Sequence, residues 1–125
     1  MDEISYDDFL KLDLRIAKIE STESIPGKTR IIKGIISLGD EKRDVIIGGA
    51  NFYESDELVG RLVVVIANLE SKKMAGVESN AMLLAADLDD KPFWLSVDSI
   101  LATHRSSFEK SSYEIFSILI VRNSI

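Results

Sequence analysis

Two adjacent lysines, Lys72 and Lys73, lie in a polar stretch, residues 68–86, that reads NLESKKMAGVESNAMLLAA. The stretch follows the apolar run LVVVIA and ends in the apolar run AMLLAA, both of which are typical of strands. A simple turn needs fewer polar and small residues than this, so the connection suggests a further use. Lysine ammonium groups can neutralise phosphates and release their counterions. The hydroxyl of Ser79 can donate to phosphate or ribose, or Ser79 can simply begin the next strand.

Other candidate binding residues are basic, amide or thioether side chains near the same connection. Lys28, Arg30 and Lys33 belong to residues 28–43, which carry five basic and two acidic side chains. Asn68 can cap the local backbone or contact a ligand, and the two interpretations are compatible. On general grounds Met82 is more often a core residue than a contact.

The remaining residue types exclude several kinds of chemistry. The chain has one histidine and no cysteine, so we predict no metal site. Gly48 and Gly49 lack the Lys-Ser/Thr of a phosphate-binding loop, and they predict a tight bend or a close backbone approach. No arrangement of serine, histidine and acid suggests a nucleophile, so we predict no catalytic residue and no cofactor.

Charge and composition indicate one ordinary globular domain in a chain of 125 residues. The net charge of −6 argues against unspecific coating of nucleic acid, but residues 28–43 and 61–78 each carry a local excess of positive charge. The acidic start, MDEISYDD, is unlike a signal peptide, and no apolar run reaches the roughly 18 residues of a membrane helix. We therefore expect a cytoplasmic protein that does not enter a membrane.

The elements that must position these residues are mostly strands. Ser5 and Asp8 predict the start of a short helix. Five strands are then predicted in LRIAKIEST, TRIIKGIISLG, KRDVIIGGA, RLVVVIANL and NAMLLAADL, while PFWLSV either extends the fifth or follows a break at Asp89-Asp90. Lys42 and Arg43, beside the Gly39-Asp40 hairpin signal, are predicted to be plain surface.

Five short strands with a helical turn before the fourth match an all-β architecture, the OB-fold barrel. That barrel binds ligands on strands 2 and 3 and on the loops between strands 1 and 2 and between strands 4 and 5. On this plan Lys28 and Arg30 lie at the first loop, Lys33 on strand 2, and the two lysines of the opening stretch on the second loop. We predict that all five converge on one face.

The segments KLDLRIAKI, SLGDEKRDVIIGGANFYESDELVGRLVVVIANL and MAGVESNAMLLAA resemble the tRNA-binding domain appended to methionyl-tRNA synthetases. The resemblance covers roughly residues 9–98. It implies an OB-fold, binding of tRNA by shape rather than by sequence, no catalytic activity, and assistance to an aminoacyl-tRNA synthetase in trans. By motif match it places Asn68, Lys72 and Lys73 on the binding face, together with Ser79 and Met82. Arg30 matches a basic position at the start of strand 2 and is a further candidate for binding.

A sister family with the same fold stays open as the alternative. The CsaA export chaperones bind unfolded polypeptides and share a YxxExLVGK pattern, which Tyr53, Glu57 and the run from Leu58 to Arg61 match here. The segment GVES…MLLAA is closer to the tRNA-binding branch. tRNA binding is therefore the first prediction and peptide binding the second.

The chain divides into residues 1–98, the predicted barrel, and residues 99–125, a C-terminal extension. The apolar run YEIFSILIV in the extension would aggregate if it were an uncovered strand. It can close the bottom of the barrel or form a subunit interface, and we predict the interface, hence a homodimer. The resemblance also implies dimers. The predicted interface residues are Tyr113, Ile115, Phe116, Ile118 and Ile120.

Overall fold

The computed structural model describes residues 1–97 of the chain. The predicted extension, with the interface residues Tyr113, Ile115, Phe116, Ile118 and Ile120, lies outside the described residues. The homodimer and the domain boundary therefore stay predictions. Within residues 1–97 no helix is long and apolar enough to cross a membrane.

A short helix and a five-stranded antiparallel sheet form the main body. The elements are helix α1 (Tyr6–Leu10), strands β1 (Leu14–Ser24), β2 (Ile31–Ser37) and β3 (Lys42–Gly48), helix α2 (Ser55–Leu58), and strands β4 (Leu62–Ile66) and β7 (Met82–Leu83). The order across the sheet is β3-β2-β1-β4-β7. The side chain of Ser5 accepts a hydrogen bond from the Asp8 backbone at 2.9 Å, which confirms the predicted start of α1.

The core lies on the inner face of this curved sheet. Alternation along the strands buries Ala17 and Ile19 of β1, Ile36 of β2, and Val45 and Ile47 of β3 almost completely. Two valines of β4 and Leu58 of α2 join the same cluster. Burial on alternate positions explains why the sequence pattern predicted these strands correctly.

The predicted fifth strand is broken. Instead of one strand through NAMLLAADL, the chain forms β7 and then β8 (Ala85–Leu88). Asp89 and Asp90 both have positive φ, and after them β9 (Lys91–Trp94) pairs antiparallel with β8. Of the two alternatives for PFWLSV, the break at Asp89-Asp90 is therefore correct, because the two aspartates adopt the left-handed backbone that a two-residue hairpin requires.

The opening stretch, predicted as a long loop, contains a hairpin of its own. Strand β5 (Lys72–Met74) pairs antiparallel with β6 (Val77–Ser79). The connecting residues Ala75 and Gly76 have φ of 52° and 79°, again the geometry of a tight hairpin turn. Beside β6, the Asn80 N–H donates to the Asp44 carbonyl at 2.9 Å, so the connection closes the barrel against β3. The fold is an OB-type barrel with two added hairpins.

Candidate nucleic-acid interface

The two hairpins, β5–β6 and β8–β9, stand on either side of an open cavity of about 490 Å³, which we call the hairpin cleft. The end of β3 and strand β7 supply the surface between the hairpins. The residues that line the cleft are Ile46, Gly48, Gly49, Leu69, Glu70, Lys72, Met74, Ser79, Ala81, Met82, Leu83, Ala85, Ala86, Asp87, Asp90, Pro92 and Trp94. Most of them are apolar, and the volume is in the range of roughly 300–1,000 Å³ typical of small-ligand sites.

Three of the predicted binding residues meet in the hairpin cleft: Lys72, Ser79 and Met82. Alternation along β5 places Lys72 and Met74 on the cleft side and Lys73 on the other side of the hairpin. Met82 is 43% exposed, so it is not a core residue, and its thioether is available to a ligand.

The basic residues of strand 2 flank the cleft without lining it. Lys33 is the register partner of Ile46, a lining residue, and its Nζ lies 3.7 Å from a carboxylate oxygen of Asp44. The Arg30 carbonyl accepts a hydrogen bond from the Ala50 N–H at 3.0 Å, next to the lining residue Gly49. The predicted convergence of basic residues therefore brings Lys33 and Arg30 near the cleft but not into it.

Lys28 and Asn68 lie at other places. Lys28 is exposed in the turn after β1, where its N–H donates to the Ile25 carbonyl at 3.0 Å. The Asn68 side chain accepts from the Asp13 N–H at 2.8 Å and donates to the Lys11 carbonyl at 2.6 Å. Asn68 therefore ties the end of β4 to the segment after α1, so its amide holds backbone that is distant in sequence and not the local backbone of the prediction.

The hydroxyl of Ser79 also has intramolecular partners. Its oxygen accepts a hydrogen bond from the Ile46 N–H at 3.0 Å, and its O–H donates to the Ala81 carbonyl at 3.2 Å. These bonds fix the hairpin β5–β6 against β3. In this geometry the hydroxyl proton is engaged, so a contact from Ser79 to a ligand would use the remaining acceptor capacity or require the hydroxyl to rotate.

Arg43 corrects a sequence-based prediction, because it is not plain surface. Its guanidinium donates to the carbonyl of Ala67, to the carbonyl of Asn80 at 3.1 Å, and to the Glu41 carboxylate at 2.9 Å. Ala67 precedes the opening stretch and Asn80 follows its hairpin, so one side chain holds both ends of the connection. A planar, forked donor suits this task because it presents several N–H groups at once.

The Arg43 hydrogen bond, followed by its charge, lowers the pKa of the Glu41 carboxyl below its ordinary range. A similar contact raises the pKa of Arg15, whose guanidinium is hydrogen-bonded to Asp13. Both ion pairs stand at the margins of the barrel and outside the hairpin cleft.

The close approach that Gly48-Gly49 predicts is confirmed at Gly49. Its φ is 72°, and a Cβ built there would lie 2.3 Å from the Pro92 Cγ. Only glycine allows β3 to end so near β9 in this conformation. Pro92 and Trp94, which this approach positions, line the cleft and were missed as site residues, although their aromatic and apolar types on a short strand could have indicated it.

Carboxylates are the other site residues that the sequence reasoning missed. Glu70, Asp87 and Asp90 line the cleft together with Lys72, the one lysine among residues 1–97 that does so. Within residues 1–97 none of the three carboxylates forms an ion pair or a side-chain hydrogen bond. The described part of the chain has no group of three or more His, Cys, Asp or Glu residues placed to hold a metal ion.

Comparisons with known proteins agree with this architecture. The family model "Putative tRNA binding domain" matches residues 14–102. A methionine–tRNA ligase of Thermotoga maritima is 48% identical over 95 residues, which are 76% of this chain and 15% of that enzyme. The chain thus spans only a small part of the curated ligases that it matches.

Two solved structures share the fold. A MetRS related protein from Pyrococcus horikoshii has a TM-score of 0.72 and 32% identity, covering 78% of this chain and 90% of that one. A CsaA chaperone protein from Picrophilus torridus has a TM-score of 0.71 and 25% identity, covering 77% and 92%. On the match of the family model to most of its length and on these relatives, the chain belongs to the tRNA-binding domain family that methionine–tRNA ligases also carry.

Proposed function

We propose that this chain is a non-catalytic module that binds tRNA by its folded shape and assists an aminoacyl-tRNA synthetase of the methionyl type in trans. The observation that carries the proposal is the placement of Lys72, Ser79 and Met82 around one cleft, with Lys33 beside it. Lysines at the margin of an apolar cleft can hold phosphates while the cleft admits other parts of the RNA.

The two lysines of the opening stretch provide the direct test. Lys72→Glu combined with Lys73→Glu should weaken the binding of all folded tRNAs about equally, because phosphate contacts carry no sequence information. The slope of log affinity against log salt should become less steep by roughly one unit per lost phosphate contact. Both side chains are exposed, so the free energy of unfolding should change by less than about 0.5 kcal/mol.

The measurement is an electrophoretic shift of folded tRNA at two salt concentrations. A matched control reverses two exposed lysines away from the hairpins, Lys11→Glu with Lys42→Glu, and so changes the net charge by the same amount. If control and test variants lose affinity equally, the effect is one of net charge. Unchanged affinity and salt slope in a folded test variant would show that the opening stretch is only a connection.

Assistance in trans has its own readout. A methionine–tRNA ligase that lacks such a domain should show a lower KM for tRNA when this chain is added, with kcat unchanged, because the chain adds binding without chemistry. If KM is unaltered at concentrations of this chain that shift tRNA in the electrophoretic assay, the proposal is reduced to tRNA binding alone.

The apolar lining of the hairpin cleft supports a second candidate, the binding of unfolded polypeptides. Leu69, Met74 and Met82 are each 38–46% exposed, and flexible, thioether-rich surfaces accommodate varied peptides. The CsaA chaperone protein from Picrophilus torridus has a similar fold. This function predicts that an unfolded peptide binds the wild-type protein and that folded tRNA does not shift.

A further inference from the structure

We propose that the hairpin cleft takes a single unstacked guanine of the bound RNA, an inference that rests on the proposed function. The base would lie against the apolar walls, its phosphate toward the lysines, and its N–H edge toward the carboxylates. Recognition of shape determines where the protein binds on the RNA, whereas this pocket would distinguish one base from the others.

The first argument is the distribution of charge around the cleft. Lys72 lines it on the β5–β6 hairpin, and Lys33 lies beside the lining residue Ile46. Asp87 and Asp90 line it on the other hairpin, β8–β9. A site for phosphate alone would not need two carboxylates. A nucleotide has both an anionic phosphate and a base edge with N–H donors, so it fits a cleft with Lys72 on one hairpin and two aspartates on the other. A third lining carboxylate, Glu70, precedes β5.

The second argument is the nature of the walls. Met74 and Met82 lie on the cleft with exposed fractions of 38% and 43%, and Trp94 also lines it. Unpaired bases of RNA are bound by stacking on aromatic side chains and by hydrogen bonds to their edges.

Guanine is the base that these groups suit best. Its N1–H and exocyclic N2 amino group are adjacent donors, and an ionised carboxylate can accept two parallel hydrogen bonds. Uracil has one N–H donor on the same edge and no amino group. In the described part of the chain Asp87 and Asp90 have no ion-pair partner, so their acceptor oxygens are available to a base.

The chain contains a single tryptophan, so all tryptophan fluorescence comes from Trp94, a residue that lines this cleft. We expect GMP to change the Trp94 emission saturably and UMP to do so far more weakly. IMP, which lacks the 2-amino group, should be intermediate. A parallel titration of free N-acetyltryptophanamide corrects for absorption by the nucleotides. Equal responses to GMP and UMP, or no saturable response to GMP at millimolar concentrations, would overturn the inference.

A pair of isosteric substitutions separates base contact from simple electrostatics. Asp87→Asn with Asp90→Asn removes two negative charges, and asparagine tolerates the positive φ of Asp90. If the aspartates only repel RNA, the variant should bind tRNA more tightly. If they accept hydrogen bonds from guanine, GMP affinity should fall about tenfold or more. The affinity for tRNA should then rise less than the loss of two negative charges alone would cause. The control variant, Asp2→Asn with Asp56→Asn, makes the same change of charge away from the cleft.

The outcomes distinguish this inference from the function on which it rests. A normal tRNA shift with no GMP preference removes the guanine pocket and leaves tRNA binding in place. Absence of any tRNA shift removes both. Saturable quenching of Trp94 by an unfolded basic peptide, without a GMP response, would overturn the inference in favour of a polypeptide ligand.

Discussion

The strands β1 to β4 and the two hairpins of residues 68–97 are built on different physical principles. In the first region the inner side chains of alternate positions are buried, with Ile19 and Ile36 fully enclosed. In the second, every residue of β5 and β8 is exposed. The barrel is therefore held by non-directional apolar burial. The hairpins depend on a few directed contacts, such as those of Arg43 and Ser79.

This difference separates stability from binding. Residues at the centre of the barrel, such as Ile19 and Ile36, have no access to a ligand, while Leu69, Met74 and Met82 of the cleft are 38–46% exposed and contribute less apolar burial. Substitutions in the two regions should consequently affect different measurements.

The largest expected effect is in the barrel. Ile36→Ala removes a fully buried side chain of β2 and should lower the free energy of unfolding by roughly 2–5 kcal/mol. Met82→Ala, at a cleft residue that is 43% exposed, should cost about 1 kcal/mol or less. Urea denaturation of both variants measures the difference. Similar losses of stability would contradict the division between barrel and hairpins.

An effect of similar size is expected where the two regions touch. Gly49→Ala would add a Cβ 2.3 Å from the Pro92 Cγ at a φ of 72°. The positive φ should cost alanine roughly 1–2 kcal/mol of stability. Crowding against Pro92 should cost about 1–3 kcal/mol more. Gly27→Ala is the matched control, because its φ is 78° and nothing lies within 4 Å of the added atom.

The two variants differ only in the crowding. Thermal unfolding should show a larger loss for Gly49→Ala, and the emission of Trp94 should shift in that variant alone, since the displaced Pro92 also lines the cleft. Equal losses would mean that the contact between β3 and β9 is not tight.

Most of the barrel could be predicted from the sequence because its signals are local. The alternating run LRIAKIEST indicated β1, the isoleucine-rich run TRIIKGIISLG indicated β2, and the apolar runs in KRDVIIGGA and RLVVVIANL indicated β3 and β4. Gly39-Asp40 marked the turn between β2 and β3 correctly, since turn chemistry depends on adjacent residues.

The hairpins and the role of Arg43 could not be predicted in the same way. Strand β5 has no buried position, so its sequence lacks the apolar–polar pattern of a half-buried strand. The turn after it places Ala75 at positive φ, a conformation that alanine rarely adopts. The carbonyls that Arg43 holds, of Ala67 and Asn80, meet only after the barrel has closed. Arg43 lies on the same face of β3 as Val45 and Ile47, because side chains at every second position of a strand point the same way. This spacing was the signal in the sequence that Arg43 points inward.

Arg43 should have a moderate effect that is confined to the hairpin β5–β6. Arg43→Lys keeps the charge, but a single ammonium group cannot replace the forked contacts to two carbonyls and a carboxylate. We expect a loss of about 1–3 kcal/mol, the range for leaving buried polar groups unpaired. Amide hydrogen exchange should accelerate in β5 and β6, with β1 unchanged. Arg30→Lys, at an exposed arginine, is the control, and equal acceleration throughout the barrel would contradict a local role.

The smallest expected effect concerns Glu41, whose exposed carboxylate forms an ion pair with Arg43. Because Arg43 lowers the pKa of Glu41 in the folded protein, the carboxylate stabilises the fold above its ordinary pKa. That contribution is lost as the pH falls through the lowered value. Glu41→Gln removes the titration, so wild type and variant should differ slightly in urea midpoint at neutral pH and converge as the pH falls through the lowered pKa of Glu41. A difference that stays constant across this range would show that the Arg43 contact with Glu41 does not contribute to the stability of the closed connection.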